Sequence, residues 1–225
     1  PEAGNCINVS HEVVIHGIDT EIYVPTRDKR SVRAELGLPE GQLVGCFGRV
    51  RYQKGIDIFV KSMIEICQLH PKAYGIICGK VTRDNIKYTD DLKHLIEAEG
   101  LEQRIIFLGE QPTENLPLLF RSLDVYIAPQ RWEGFGLTPI EAMSSRVPVI
   151  ATKAGVFEEM ILPSQTGYIV EYDDIDTISK HLSNLLSNEG LLNDMSEQAR
   201  ARVVDAFNIQ KEADHLIDIY QQISN

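Results

Sequence analysis

Short apolar runs alternate with longer amphipathic segments along most of this 225-residue chain, and that alternation restricts the folds it can adopt. The run from Leu43 to Gly48 is continuously apolar and ends in glycine, as expected of a strand buried on both faces of a parallel sheet. Residues 55–69 then place apolar side chains at helical spacing. Because strand and helix recur in this order, the sequence predicts an α/β fold, a Rossmann-like parallel sheet with helices on both faces.

The predicted elements fill most of the chain. Strands are expected at 43–48, 73–78, 104–108, 124–128, 147–151 and 167–170, and helices between them at 55–69, 89–98, 114–122, 138–144 and 157–161. Three more helices, 174–186, 191–206 and 210–223, should pack on the outside. Near the start, residues 13–15 predict a short strand before a polar linker. We therefore divide the chain into a linker with this first strand, 1–29, and a ligand-binding domain with C-terminal helices, 30–225.

Composition limits the partners of this domain. With 43% hydrophobic residues the chain can build a core, which excludes disorder. Its 22 Lys and Arg against 33 Asp and Glu give a formal charge of −11, which argues against nucleic acid or an anionic membrane surface as a partner. A phosphate site must therefore be local, built from a few basic residues in a cleft.

The cysteines and the hydropathy pattern predict the compartment. Cys6, Cys46, Cys67 and Cys78 include no C-x-x-C pair and no nearby histidine at zinc-finger spacing, so we expect reduced, mostly buried thiols and a cytoplasmic location. The sequence contains no 18-residue apolar run and no signal-like start, and it therefore predicts neither a membrane span nor a signal peptide.

A loop between the first strand and helix of the alternating pattern, Gly48 to Gly55, carries cations that could bind an anion. Gly48 permits close approach of a ligand, and the following helix presents unpaired N–H groups at the carboxyl edge of the sheet. Arg49 and Lys54 add positive charge, so a diphosphate is the ligand that such a loop would hold. The loop matches neither the P-loop nor the G-x-G-x-x-G pattern. The alternative is that these are ordinary solvated charges.

A second loop, Trp132 to Glu141, leads into a later helix. Thr138, Pro139 and Glu141 fit the N-cap, N1 and N3 positions of a capping box, which predicts that the helix begins here. The amino terminus of this helix would face the same sheet edge and could help to bind the same anion. Glu133 and Glu141 could accept hydrogen bonds from sugar or ribose hydroxyls. The alternative for Glu141 is that it only caps its own helix.

Metal chemistry is not favoured by the sequence. Asp174-Ile175-Asp176 has the D-x-D spacing of some metal-dependent transferases, but acidic residues at a helix start complement the helix dipole, and we favour that interpretation. The six histidines form no metal-ligand spacing, and His16 is expected to be structural. We therefore expect no metal site.

Several motifs together resemble the nucleotide-binding half of retaining glycosyltransferases of the GT-B architecture, in the large family-four group. They are V-I-H-G-I-D at 14–19, F-G-R at 47–49 with Lys54-Gly55, E-G-F-G at 133–136, Glu141-Ala142, and P-V-I-A-T at 148–152 before Gly155 and Glu159. The E-x7-E pair of Glu133 and Glu141 is highly specific, and the resemblance covers nearly the whole chain. It implies the C-terminal half of a GT-B fold.

This resemblance implies a nucleotide-sugar donor, no further cofactor and a role for each motif. Arg49 and Lys54 would bind the donor diphosphate, Glu133 would contact the transferred sugar, and these three would form the catalytic group. Glu141 would hold the ribose hydroxyls. The implied donor site consists of Gly48, Arg49, Lys54, Gly109, Glu110, Gln111, Glu133, Gly134, Phe135, Gly136, Leu137, Thr138 and Glu141. Within it, 109–111 would meet the base, and backbone amides of 135–138 would join the diphosphate site.

The sequence departs from the family pattern at two places, and one stretch of it indicates a particular group within the family. Position 16, commonly Asn in the family, is His, and residues 154–156 read Ala-Gly-Val where many relatives carry a Gly pair. The run A-P-Q-R-W-E-G-F-G-L-T-P at 128–139 is most similar to bacterial lipopolysaccharide-core mannosyltransferases. It implies GDP-mannose as the favoured donor, a UDP-sugar as the alternative, and a glycan or glycolipid acceptor.

The resemblance implies an enzyme with two Rossmann-like domains around a cleft, and this chain is similar to the second of these domains. We therefore expect the acceptor to bind through an N-terminal domain, and this chain alone to be inactive. The reaction would be metal-independent, with peripheral association at the inner face of the cytoplasmic membrane as a further expectation for the whole enzyme. Two other functions stay open: a sugar-nucleotide epimerase of similar architecture, and a non-catalytic nucleotide-sugar-binding module.

Overall fold

A computed structural model describes residues 14–224, and in it the predicted alternation forms one parallel sheet. Its strands are β1 (Gln42–Phe47), β2 (Ala73–Cys78), β3 (Ile105–Gly109), β4 (Val125–Ala128), β5 (Val149–Thr152) and β6 (Gly167–Val170). They lie in the order β3-β2-β1-β4-β5-β6, and every neighbouring pair is parallel. The predicted α/β fold is confirmed. The strand order reverses between β1 and β4, where open sheets of this kind bind ligands.

Helices cover both faces of the sheet. They are α1 (Lys29–Glu35), α2 (Ile56–Leu69), α3 (Ile86–Ala98), α4 (Leu116–Ser122), α5 (Thr138–Ser144), α6 (Phe157–Met160), α7 (Ile175–Ser187), α8 (Glu189–Ala206) and α9 (Ile209–Ser224). The three consecutive C-terminal helices are confirmed. Asp174 caps α7 by accepting a hydrogen bond from the Thr177 amide at 3.0 Å, as its helix-start position indicated. Across residues 14–224, no helix is both long and apolar enough to cross a membrane.

The sheet separates two hydrophobic cores because alternate side chains of each strand point to opposite faces. From β1, Val44 and Cys46 join the core under α2 and α7, whereas Leu43 and Phe47 join the core under α4, α5 and α8. Both β4 and β5 are buried along their whole length, as continuous apolar runs predict.

The cysteine prediction is confirmed for the three residues that the structure describes. Cys46, Cys67 and Cys78 are buried free thiols, and Cys6 lies outside the described residues. Burial raises the pKa of Cys46 to about 12 and that of Cys78 to about 11.

The prediction of a first strand at 13–15 is wrong for the two of its residues that the structure describes. Val13 lies outside the described residues, and Val14 and Ile15 form no strand. The pairing segment lies further on, because Ile18 is the apolar side chain that becomes buried. The Ile18 amide donates to the Phe207 carbonyl at 2.8 Å, and the Ile209 amide donates to the Ile18 carbonyl at 2.9 Å. The linker is thus fastened to the junction of α8 and α9 rather than to the sheet.

Helix α1 was not predicted, since seven residues with four charges carry no visible apolar period. It is fixed by polar contacts. The Asp28 carboxylate accepts from the Ser31 amide at 2.9 Å and caps the helix. The buried Arg33 side chain donates to the Ser122 carbonyl at 2.7 and 2.9 Å and to the Asp124 carboxylate at 2.8 Å. Helix α1 is therefore part of the domain from its first residue.

The junction between the linker and the C-terminal helices leaves no room for a side chain at position 17. A Cβ on Gly17 would lie 2.5 Å from the Asn208 carbonyl carbon and 2.6 Å from the Ile209 nitrogen. We expect Gly17→Ala to lower the free energy of unfolding by about 1–3 kcal/mol, because the two backbones must separate. Gly190→Ala in α8 meets only an ordinary contact and should leave stability unchanged or slightly higher. Equal effects of the two substitutions in urea denaturation would contradict this packing argument.

Candidate functional site

The carboxyl ends of β1, β2 and β3 surround a cavity of about 240 Å³ together with α4 and α5. The predicted residues that line it are Gly48, Arg49, Glu110, Gln111, Thr138 and Glu141. They come from three separate stretches of the chain, and the topology brings them to one edge of the sheet. This is where a parallel α/β sheet holds a ligand.

Two glycines allow the loops around this edge to touch. Gly79, after β2, has a φ of +150°, and a Cβ there would overlap the carbonyl oxygen of Gly48. Gly55, before α2, has a φ of +66°, and a Cβ there would overlap the carbonyl oxygen of Pro129. Both positions combine a left-handed or otherwise glycine-favouring backbone with main-chain contact, so glycine alone fits.

The two cations of the first loop differ in their surroundings. Arg49 is exposed on the cavity wall, and among residues 14–224 its guanidinium has no hydrogen bond or ion pair. Lys54 is mostly buried and forms an ion pair with Glu133, which lies 79 positions away in sequence. The second oxygen of Glu133 accepts from the Gly134 amide at 3.1 Å. The structure therefore places the predicted diphosphate ligand Lys54 directly against the predicted sugar ligand Glu133.

This ion pair borders the cavity without lining it. A Cβ built on Gly48 would lie 3.7 Å from the Lys54 side-chain carbons, so the Lys54 stem runs along that glycine. A ligand that fills the cavity and reaches past Gly48 would meet both charges of the pair.

The predicted capping box is wrong, although the helix does begin at Thr138. Leu137 is the N-cap residue and makes no side-chain capping bond; its backbone is already helical, and its carbonyl accepts from the Glu141 amide at 3.0 Å. The Thr138 hydroxyl is hydrogen-bonded to the buried Tyr126 hydroxyl instead. Glu141 therefore has no capping duty, and its carboxyl group faces the cavity.

Glu141 has a half-buried neighbour that the sequence did not indicate. Burial raises the pKa of the Glu141 carboxyl group, and a hydrogen bond with the Tyr23 hydroxyl opposes that rise. Burial, reinforced by the Glu141 charge, raises the pKa of Tyr23 above its usual value, so Tyr23 stays a hydroxyl donor. Tyr23 comes from the linker segment and approaches Glu141 from outside the sheet.

The remaining predicted residues surround these groups. Gly109 ends β3, Gly134 and Leu137 are exposed, and Gly136 is half-buried beside Phe157. The Phe135 ring packs edge-on against His16, with centroids 5.0 Å apart. His16 Nδ1 also lies 2.9 Å from the Glu212 carboxylate on α9. His16 thus joins this loop to the last helix, which agrees with the structural role expected for it.

Sequence reasoning missed six residues of the cavity wall: Phe47, Cys78, Gly79, Lys80, Leu116 and Phe120. Lys80 forms an ion pair with Glu110 at 3.1 Å at the rim. The sequence could have indicated that Lys80 belongs to the site, because Gly79 and Lys80 directly follow β2 and therefore lie at the carboxyl edge of the sheet. Within the described part of the chain, His, Cys, Asp and Glu side chains form no group of three that could hold a metal ion.

A doubly wound parallel sheet with cations and carboxylates at its carboxyl edge is an α/β architecture that many nucleotide-binding domains share. The particular family follows from comparison with known proteins. The chain belongs to the family of glycosyl transferases group 1, whose model matches residues 28–202. The resemblance seen in the sequence is thereby confirmed at the level of the family.

Individual relatives agree with this assignment. The chain is 39% identical over 220 residues to the lipopolysaccharide core biosynthesis mannosyltransferase LpsB of Rhizobium meliloti (strain 1021). That alignment covers 96% of this chain and 62% of the relative, so the chain spans about three fifths of the relative's length. The similarity to lipopolysaccharide-core mannosyltransferases expected from residues 128–139 is confirmed.

Solved structures place the chain in the second half of a GT-B fold. The C-terminal domain of the glycosyl transferase group 1 family protein LpcC from Francisella tularensis matches with a TM-score of 0.82 and 29% identity, over 86% of this chain and 100% of that domain. Anabaena HepE, crystallised in complex with UDP, shares the fold with a TM-score of 0.87 and 23% identity, over 94% of this chain and 57% of HepE.

The raised pKa of Glu141 predicts a pH-dependent effect of its removal. Glu141→Gln should raise the free energy of unfolding at neutral pH, because the folded protein no longer holds a buried charge. The gain should shrink as the pH falls through the raised pKa and vanish below the ordinary value of 4.5, where both states of the wild type are protonated. Urea denaturation between about pH 4 and pH 8 measures this. The exposed Glu65→Gln on α2 is the control, and a gain for Glu141→Gln that is constant with pH would contradict the assignment.

Proposed function

We propose that this chain is the donor-binding half of a retaining glycosyltransferase that transfers a hexose to a glycan or glycolipid acceptor such as lipopolysaccharide core. GDP-mannose is the favoured donor. The observation that carries the proposal is the meeting of Arg49 and Glu141 in one cavity with the Lys54–Glu133 ion pair at its border. Family membership supports glycosyl transfer, and the name of the Rhizobium relative supports mannose.

The donor would lie along the carboxyl edge of the sheet. Its diphosphate sits between Arg49 and Lys54, because charge-assisted hydrogen bonds to phosphate oxygens are the strongest that these side chains can make. The ribose hydroxyls donate to Glu141, and the base lies toward Glu110 and Gln111 at the far rim. The transferred sugar then reaches past Gly48 to Glu133.

Catalysis in this arrangement is electrostatic. Breaking the bond between the sugar and the diphosphate leaves negative charge on the departing phosphate oxygen, and preorganised cations stabilise that charge best. Arg49 and Lys54 are the cations proposed for this task. In the free protein Glu133 neutralises Lys54, which spares the site an uncompensated buried charge until the donor arrives. We propose that the anomeric configuration is retained, which the motif resemblance to retaining family-four transferases supports.

The proposal also covers the acceptor and the cellular compartment. The relatives are longer than this chain, and we propose that the acceptor binds to a further N-terminal domain. The buried free thiols fit the reducing cytoplasm that we propose as the compartment. Peripheral association of the whole enzyme with the inner membrane face is proposed on the acceptor class alone.

Removing either cation should weaken the binding of the nucleotide without its sugar. Arg49→Ala and Lys54→Ala should each weaken GDP binding by about 1.5–3 kcal/mol, the range of charge-assisted hydrogen bonds. Lys54→Ala should cost more, because it also leaves Glu133 unpaired beside the diphosphate. Calorimetric titration with GDP measures both effects, and the exposed Lys61→Ala on α2 is a control with the same charge change. Wild-type affinity in both site variants would make them ordinary surface charges.

The two glutamates provide the sharpest test of the proposed function. Glu133→Gln should reduce the affinity for GDP-mannose relative to that for GDP, because its proposed partner is the sugar. GDP itself should bind no more weakly than to the wild type, since the substitution removes a negative charge beside Lys54. Glu141→Gln should weaken both ligands alike, because its proposed partner is the ribose. Titration of each variant with both ligands measures this, with GDP and UDP compared on the wild type to define the base. If Glu133→Gln loses GDP as severely as GDP-mannose, the assignment of roles is wrong.

A further inference from the structure

One arginine outside the cavity fastens together the two loops that carry Lys54 and Glu133. Arg131 lies three positions beyond β4, and its side chain is only 16% exposed. Its guanidinium forms a bidentate pair with Asp57 in the first turn of α2, with both N···O distances at 2.8 Å. It also lies 2.6 Å from the Asp173 carboxylate, in the loop after β6.

The same residue holds the turn that precedes Lys54. Arg131 Nη1 donates to the Tyr52 carbonyl at 2.8 Å, and the Arg131 amide donates to the Gln53 carbonyl at 3.0 Å. The guanidinium also covers the Tyr52 ring, with 3.8 Å from Cζ to the ring centroid. Both the side chain and the main chain of Arg131 therefore fix the distance between its own loop and the Tyr52–Lys54 turn.

The partners of Arg131 are themselves held in place. The Tyr88 hydroxyl donates to Asp57 at 2.7 Å. Burial opposes ionisation of Asp57, but hydrogen bonds from Arg131 and Tyr88 outweigh it and keep the pKa of Asp57 below its usual value. Asp173 has a φ of +59°, a conformation that aspartate adopts more readily than most residues, and its carboxylate pairs with Arg131. Asp57 therefore stays ionised, and the ion pairs and hydrogen bonds around Arg131 hold one arrangement.

Glu133 depends on this cluster more than Lys54 does. Lys54 lies in a turn with its own main-chain bonds, including its amide to the Arg51 carbonyl at 3.0 Å, and α2 follows directly. Glu133 lies in the stretch between β4 and α5, which contains neither helix nor strand. Apart from the Arg131 contacts, the loop at Glu133 packs against Gly155, where a Cβ would lie 3.1 Å from the Glu133 carbonyl oxygen. Loss of the Arg131 contacts should therefore displace Glu133 more than Lys54. The Nη1 and Nη2 atoms of Arg131 are engaged by the Tyr52 carbonyl, Asp57 and Asp173, so Arg131 would act through Glu133 and not on the ligand.

We propose that Arg131 is a positioning residue that places Glu133 opposite Lys54 and thereby sets the part of donor affinity that depends on the transferred sugar. This inference rests on the proposed function, because it takes Glu133 as the group that contacts the sugar. Arginine suits the position since its planar fork can hold a carboxylate by two bonds and a carbonyl at the same time. Lysine keeps the charge but lacks that fork.

The measurement is the ratio of the dissociation constants for GDP-mannose and GDP, obtained by calorimetry on this chain. Arg131→Gln should shift the ratio about tenfold against GDP-mannose, a change of about 1.4 kcal/mol. Arg131→Lys should shift it in the same direction by less, and it decides the test if the Gln variant does not fold. In a Glu133→Gln background, Arg131→Gln should produce no further shift, because both substitutions then remove the same contact.

A matched control exists at the opposite edge of the sheet. Arg104, before β3, donates to the Ala73 and His70 carbonyls, and its Cζ lies 5.5 Å from the centre of the Tyr74 ring. Arg104→Gln should lower stability without changing the ratio. A similar shift for Arg104→Gln, an unchanged ratio in both Arg131 variants, or full additivity with Glu133→Gln would overturn the proposal. Failure of the wild-type chain to bind either ligand would instead contradict the proposed function.

Discussion

Main-chain contact between neighbouring loops is the constraint on which the site depends. At Gly79 the backbone lies against the Gly48 carbonyl, and at Gly55 it lies against the Pro129 carbonyl, so no side chain fits at either point. These contacts hold the ends of β1, β2 and β4 close enough for charges from distant parts of the chain to act on one ligand. They also bring Arg49, which is exposed on the cavity wall, to the same sheet edge as the Lys54–Glu133 ion pair.

Much of the fold could be predicted from the sequence because each strand and helix carries its own period. The helix at 55–69 and the strand at 73–78 agree with α2 and β2 to within one residue. The failures occur where the local signal is weak or ambiguous. Helix α1 is short and charged, and it is stabilised by a distant carbonyl at Ser122 rather than by an apolar stripe. Residues 13–15 have strand composition, but the sequence cannot say which edge is available to pair with them.

The candidate site could be predicted as a set of residues, but its internal contacts could not. Strand ends and glycines locate Arg49 and Glu141, since topology alone brings them to one edge. The pairing of Lys54 with Glu133 joins positions 79 apart, and no local pattern encodes it. The same holds for Tyr23 against Glu141. The apparent capping box failed for a tertiary reason, because the Thr138 hydroxyl bonds Tyr126 from another element.

The buried thiol of Cys78 has a consequence for the chemistry of the site itself. Cys78 lines the cavity, and burial raises its pKa to about 11. Alkylating agents and oxidants react with the thiolate, and at neutral pH very little of this cysteine is in that form. Ionisation as well as access should therefore limit the reactivity of this thiol. A reagent small enough to enter the cavity would still find a poor nucleophile there, and its reaction with Cys78 should become faster as the pH rises toward the pKa of the thiol.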